Sequence, residues 1–214
     1  MAAGQGVLLT LAQHVTEAGT APQRRLVLAS ASPRRQQLLR EAGYEFAVFP
    51  ANIDEDSYPN LMPIELARHL SFEKAKAVAG RFPNDVVLAA DTVVAFGDRA
   101  LSKPEDAEDA RRMLKLLSGT THIVITGITL MQKESEVQQT RAAMSAVRMR
   151  PLTPEEIDGY IATNQWEGKA GGYGIQDHDP FVTKMSGSHT NIVGLPMELV
   201  EKMLGEANIL PAGK

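Results

Sequence analysis

The sequence predicts an α/β fold, and three observations carry that prediction. Apolar runs of strand length recur, with 26–29 and 86–90 the most continuous. Between them stand stretches whose apolar residues follow a helical period, most plainly 63–81, and helix starts at which a capping residue precedes proline, as at Ser32-Pro33 and Thr153-Pro154. The chain has no internal repeat and no linker long enough to part independent domains. Its 214 residues, 43% hydrophobic and 22% charged, suffice for one sizeable core or for two lobes sharing a sheet.

Residues 1–23 read as an N-terminal extension to a domain spanning 24–214. They hold Val7-Leu8-Leu9-Thr10-Leu11-Ala12, but no positive charge precedes that run and it is too short for a secretory signal. The lack of arginine before Arg24 also argues against a mitochondrial presequence.

The first strand is expected over 25–30 and runs into a helix over 33–42, with Ser32 as N-cap, Pro33 at the first helical position, and Leu38, Leu39 and Ala42 inward. Helix N–H groups, the positive end of the helix dipole, two hydroxyls (Ser30, Ser32) and two guanidiniums (Arg34, Arg35) then converge, which describes a phosphate site. The alternative is a well-capped helix start with solvated arginines. A second strand, 46–52, ends in Asp54-Glu55-Asp56; carboxylates at a strand end suit a metal, or form a solvated acidic loop.

On the helix expected over 63–81, Leu66, Ala67, Leu70, Ala77 and Val78 share one face. Lys74 falls on that stripe and Lys76 does not. A lysine so placed either snorkels to the edge or meets an anion. The apolar runs 86–90 and 93–96 flank Asp91-Thr92. An acid there is costly to bury alone, so a metal or cationic partner is expected, and Asp91 is the strongest catalytic candidate from pattern alone.

Ser102-Lys103-Pro104 starts a helix that ends at Gly119. Strands over 121–131 and 141–149 form a hairpin, and Thr153-Pro154-Glu155-Glu156 is a capping box opening a helix with Ile157, Tyr160 and Ile161 inward. Gly168–Gln176 carries four glycines, which allow close backbone approach to a ligand or simply tight turns. A last hairpin (181–185 with 191–193) and a helix over 196–204 complete the chain. His178 and His189 read as loop residues.

Composition excludes several classes. There is no cysteine, so disulfide scaffolds, zinc knuckles and thiol catalysis fall away. A formal charge of −4 gives no global basic field for nucleic acid or anionic membrane, and no apolar run approaches a membrane span. Neither a dinucleotide fingerprint nor a Walker A sequence occurs. The expected setting is soluble and cytoplasmic.

Taken in order, Ser30 to Arg35, Asn52-Ile53-Asp54-Glu55, Glu73-Lys74-Ala75-Lys76, Ala90-Asp91-Thr92, Ser102-Lys103-Pro104, Gly168–Gln176 and Asn191–Pro196 resemble the Maf family of nucleoside triphosphate pyrophosphatases. The resemblance covers about 25–205. It implies an α/β fold with a long mixed sheet flanked by helices and a nucleotide cleft between two lobes, related to inosine triphosphate pyrophosphatases. It implies hydrolysis of a nucleoside triphosphate to monophosphate and pyrophosphate with a divalent metal, Mg or Mn, by a homodimer. Carried over, Asp91 is the proton acceptor, Glu55, Asp54 and Asp91 hold metal, and Ser32, Arg35, Lys74 and Lys103 hold the triphosphate. Arg34, Thr92 and Gln176 match the family's dTTP/UTP branch, whereas its 7-methyl-GTP branch carries Trp, Gln and Glu there. The role implied is house-cleaning of the nucleotide pool. Two competing readings are an inosine triphosphate pyrophosphatase-like purine enzyme, separated by the base pocket, and a non-catalytic nucleotide-binding regulator of division, separated by turnover.

Overall fold

In the computed structural model, the residues described are 25–55, 58, 60–134, 137–177 and 181–212. The expected extension 1–23, Asp56 and His178 lie outside them. The apolar run at 26–28 forms β1 (Leu26–Leu28), wholly buried, which pairs in parallel with β2 (Phe46–Val48) on one side and with β3 (Val86–Phe96) on the other. β4 (Arg99–Leu101) folds back on the end of β3. β5 (Thr121–Gln132), β6 (Val137–Met149) and β7 (Val182–Ser186) extend the sheet antiparallel, in the order β2-β1-β3-β5-β6-β7. This is a mixed sheet of seven strands.

Alternation of side chains along β3 decides what covers each face. Val87, Ala89, Val93 and Ala95 meet α2 (Pro63–Ala79), through Ala75 and Val78 at one end and Leu66, Ala67 and Leu70 at the other. The opposite face carries two separate cores. Leu26, Leu28, Leu88 and Ala90 pack with Leu39 of α1 (Pro33–Glu41) and with Val200, Met203 and Leu204 of α6 (Met197–Glu206). Val94, Val124 and Val147 pack with Met113 and Leu114 of α3 (Ala107–Leu117) and with Ile157 and Tyr160 of α4 (Pro154–Ala162). One continuous helix behind the sheet and two cores in front give two lobes.

The cleft follows from how β3 is paired. Its β5 edge is bonded throughout 87–95, but its other edge meets β1 only over 86–88 and β4 only over 94–96. Ala90, Asp91 and Thr92 fall in the gap. That opening lies beyond the carboxyl end of the parallel strand β1, the place where open α/β sheets hold ligands.

Several expectations are corrected. The helix after Ser102 begins at Ala107, since Asp106 caps it by accepting from the Asp109 N–H at 2.8 Å, which leaves Lys103 and Pro104 in the preceding loop. Residues 191–193 are not a strand but part of the short helix α5 (His189–Val193), capped by Ser188 and stopped by Gly194 in the left-handed conformation. Ala77 is exposed, and Ala75 occupies the inward stripe instead. Among the described residues, no helix is long and apolar enough to cross a membrane.

Candidate functional site

Ser32 occupies the N-cap position of α1 with extended backbone, and Pro33 follows, but the Ser32 side chain makes no cap bond. Ser30 takes up the adjacent role, its hydroxyl accepting from the Ser32 N–H at 3.2 Å. One turn into α1, Arg35 turns inward and donates to three oxygens from three segments: Ser30 Oγ (3.2 Å), Gly194 O (2.8 Å) and Thr92 Oγ1 (3.1 Å). The Gly194 carbonyl is available because α5 ends there. Thr92 is itself tied to Thr126, 3.0 Å away, whose hydroxyl donates to the Asn191 carbonyl at 3.2 Å. A planar guanidinium held this way is aimed before any ligand arrives. Desolvation pulls the Arg35 pKa below its usual value, against which Asp91 pushes back.

From the other face, α2 delivers Lys74. Its ammonium bonds Asp91 Oδ1 directly and lies 2.9 Å from Glu55 Oε1. Lys103 reaches the second Glu55 oxygen at 3.2 Å. Asp91 is buried on β3, and burial pushes its carboxyl above the ordinary aspartate value although Lys74 and Arg35 oppose the shift. Burial would also raise Glu55, but the two ammonium groups outweigh it and hold that carboxyl below the usual range. The two acids therefore sit in opposed environments a single lysine apart.

The segment after α4 closes the cleft. Arg34 donates to the Gly168 carbonyl at 3.1 Å, and Gln176 stands exposed on the same loop. Together these groups line one cavity of about 400 Å³.

Ser32, Arg34, Arg35, Glu55, Lys74, Asp91, Thr92, Lys103 and Gln176 are thus brought around one opening. Asp54 is exposed and lies outside the lining. The Thr92 hydroxyl is occupied in orienting Arg35. Lys169 and Asp177, neither of them a candidate from the sequence, pair at the base of the glycine-rich loop, and Tyr160, expected only to face inward, donates to Asp177. A lysine and an aspartate bracketing a run of glycines was the available signal.

Among the described residues, no three of His, Asp and Glu cluster as a metal cage. The donor set does suit a hard cation that shares its ligands with a substrate. Magnesium is commonly bound through one or two carboxylates plus phosphates, and Glu55 and Asp91 already converge on a cation, the Lys74 ammonium.

Fold and cleft define an α/β protein with a cleft, at the end of its parallel strands, lined by Arg34, Arg35, Lys74 and Lys103 together with Glu55 and Asp91. The family model described as Maf-like protein matches residues 25–207, and the chain belongs to the Maf family. It is similar to a protein named dTTP/UTP pyrophosphatase from Syntrophus aciditrophicus, 44% identical over 181 residues that cover 84% of this chain and 88% of that one. A protein of the same name from Caulobacter vibrioides is 48% identical over 174 residues, covering 80% and 90%. Among solved structures, a HAM1 protein from Coxiella burnetii matches with a TM-score of 0.46 at 18% identity, covering 86% of this chain and 100% of that one.

Proposed function

We propose that this chain hydrolyses dTTP and UTP to the nucleoside monophosphate and pyrophosphate. The observation that carries the reading is Asp91: a buried, pKa-raised carboxylate in the gap of β3, ringed by Lys74, Arg35 and, through Glu55, Lys103. The names of the relatives, dTTP/UTP pyrophosphatase, support the substrate.

Water attacks the α-phosphorus, the bond from that phosphorus to the oxygen bridging to the β-phosphate breaks, and pyrophosphate leaves. Asp91 accepts the proton. A carboxylate of ordinary pKa is a weak base, and burial makes this one stronger. Arg35, Lys103 and the first turn of α1 meet the charge that develops on the departing phosphates. Glu55 and Asp91 would hold a divalent cation, which supplies further neutralisation of the triphosphate when bound.

Selection of the base rests on Arg34 and Gln176. Uracil and thymine offer a carbonyl on each side of N3–H. Arg34 offers only donors, so a cytosine amino group in its place finds no acceptor, while Gln176 both donates and accepts. The partner in this reading is a free nucleotide in the cytoplasm, not a nucleic acid, in keeping with the formal charge of −4.

The test is pyrophosphate release from a nucleotide panel, with and without chelator. dTTP and UTP should exceed CTP, ATP, GTP and 7-methyl-GTP by about tenfold or more, and chelation should abolish turnover. Folded Asp91→Asn should be inactive. A purine preference would sink the pyrimidine assignment; a fully active Asp91→Asn would sink the mechanism.

A further inference from the structure

Gln176 stands at the tip of a tight turn. Residues 175 and 176 are its central pair, and the turn is closed by the Asp177 N–H donating to the Gly174 carbonyl at 3.3 Å. The Asp177 side chain closes it a second time, its Oδ2 accepting from the Gly174 N–H at 2.8 Å. The same Oδ2 accepts from the Tyr160 hydroxyl at 2.5 Å, and Oδ1 is paired with the Lys169 ammonium. This carboxylate is 7% exposed and its lysine 12% exposed, so the pair is shielded from water and held by several bonds at once.

The anchor reaches into the core. Tyr160 belongs to α4 and packs edge-on against Phe181, 4.9 Å between ring centres. Gly174 makes room for it: a Cβ there would stand 2.7 Å from Asp177 Oδ1 and 3.0 Å from Lys169 Nζ. On the outer side the loop is met by Arg34, through Gly168. One loop therefore links both groups to which base selection was assigned, and Asp177 is the residue that locks it to the lobe.

We propose that Asp177 is a positioning residue for base recognition: by clamping Gly174, Lys169 and Tyr160 it fixes the turn that aims Gln176 at the pyrimidine edge, without touching the triphosphate. The proposal rests on the pyrimidine nucleotide reading above. An exposed glutamine on an unclamped turn has many directions, and a donor–acceptor pair discriminates between carbonyl and amino groups only if its direction is set beforehand.

The experiment compares wild type, Asp177→Ala, Asp177→Asn and Tyr160→Phe for kcat and KM on UTP and CTP, with inorganic tripolyphosphate as competitive inhibitor to report on the phosphate subsite alone. For Asp177→Ala, KM for UTP should rise about tenfold and the preference for UTP over CTP should shrink about as much, with the tripolyphosphate inhibition constant unchanged. Asp177→Asn, which keeps an acceptor but not the charge facing Lys169, should fall between, and Tyr160→Phe should shift both readouts the same way by less. Loss of tripolyphosphate binding in step with UTP would overturn the proposal, since the effect would then be on the whole cleft. So would an unchanged UTP to CTP ratio in folded Asp177→Ala. Should that variant not fold, an unchanged ratio in Tyr160→Phe overturns it equally. A wild type without pyrimidine preference would instead overturn the functional reading, and the two failures are distinguished by which protein shows them.

Discussion

Lys74 enters the cleft from α2 with its ammonium between Glu55 and Asp91, whereas Lys76, two residues on, is exposed, with Glu73 at 3.6 Å and the Phe72 ring beneath it. A helix turns about 100° per residue, so two residues carry a side chain from the buried stripe to solvent. Substituting Lys74 by alanine leaves two carboxylates facing each other with no cation between them and, in the proposed reaction, withdraws a charge-assisted contact from the triphosphate. The expected loss is about 2 kcal/mol or more in transition-state stabilisation, read as kcat/KM for UTP. Lys76→Ala should be nearly silent, because exposed ion pairs contribute little. Equal losses would mean that the buried position of Lys74 gives it no part in turnover that Lys76 lacks.

The helix that carries Lys74 lies with its backbone directly against the strand beside Asp91. Gly127 on β5 is the strand partner of Asp91, and a Cβ there would stand 2.1 Å from the Ala67 carbonyl oxygen and 2.7 Å from the Arg68 nitrogen. Both are helix backbone, which cannot rotate aside as a side chain can. Gly127→Ala should therefore push α2 off the sheet, destabilising the fold by about 3 kcal/mol by the scale of overpacked cores and weakening turnover in the molecules that remain folded. Chemical denaturation with parallel activity measurements checks both parts. Retained stability and activity together would show that the close approach is not needed to seat Lys74. The same dependence of one element on another explains α5. Its Thr190, Ile192 and Val193 favour strand, but the Ser188 cap at one end and the Gly194 stop at the other, with the fully buried Asn191 amide donating to Val124 O and Ser145 Oγ, select a helix.

At the scale of the whole molecule, what could be read in the sequence was what neighbours in the chain decide. The capping box at Thr153 and Glu156 forms with both of its bonds, at 3.2 and 2.8 Å, and the helical period placed Lys74 inward. What could not be read was assembled by folding: Lys103 meets Glu55 across 48 residues, Tyr160 meets Asp177 across 17, and no local rule pairs them. His122 is another such case. It looks like an ordinary strand residue, yet it is buried on β5 with Nε2 2.6 Å from the Tyr173 hydroxyl and Nδ1 facing no partner, and burial lowers its pKa from 6.5 to about 4. A proton on Nδ1 would be a buried donor without an acceptor, so the folded state keeps the ring neutral. The unfolded chain binds that proton as pH falls through 6.5 and the folded chain does not until about 4, so the unfolded state holds more protons across this window and stability drops with pH there. The contribution is fully present above 6.5 and, at its limit near pH 4, about 3 kcal/mol has been lost from this group alone. His122→Gln keeps a polar partner for the Tyr173 hydroxyl but cannot titrate. Urea unfolding of both proteins at several pH values between 7 and 4 should show a shallower decline for the variant, and equal declines would mean that the buried ring does not set the acid sensitivity of the fold.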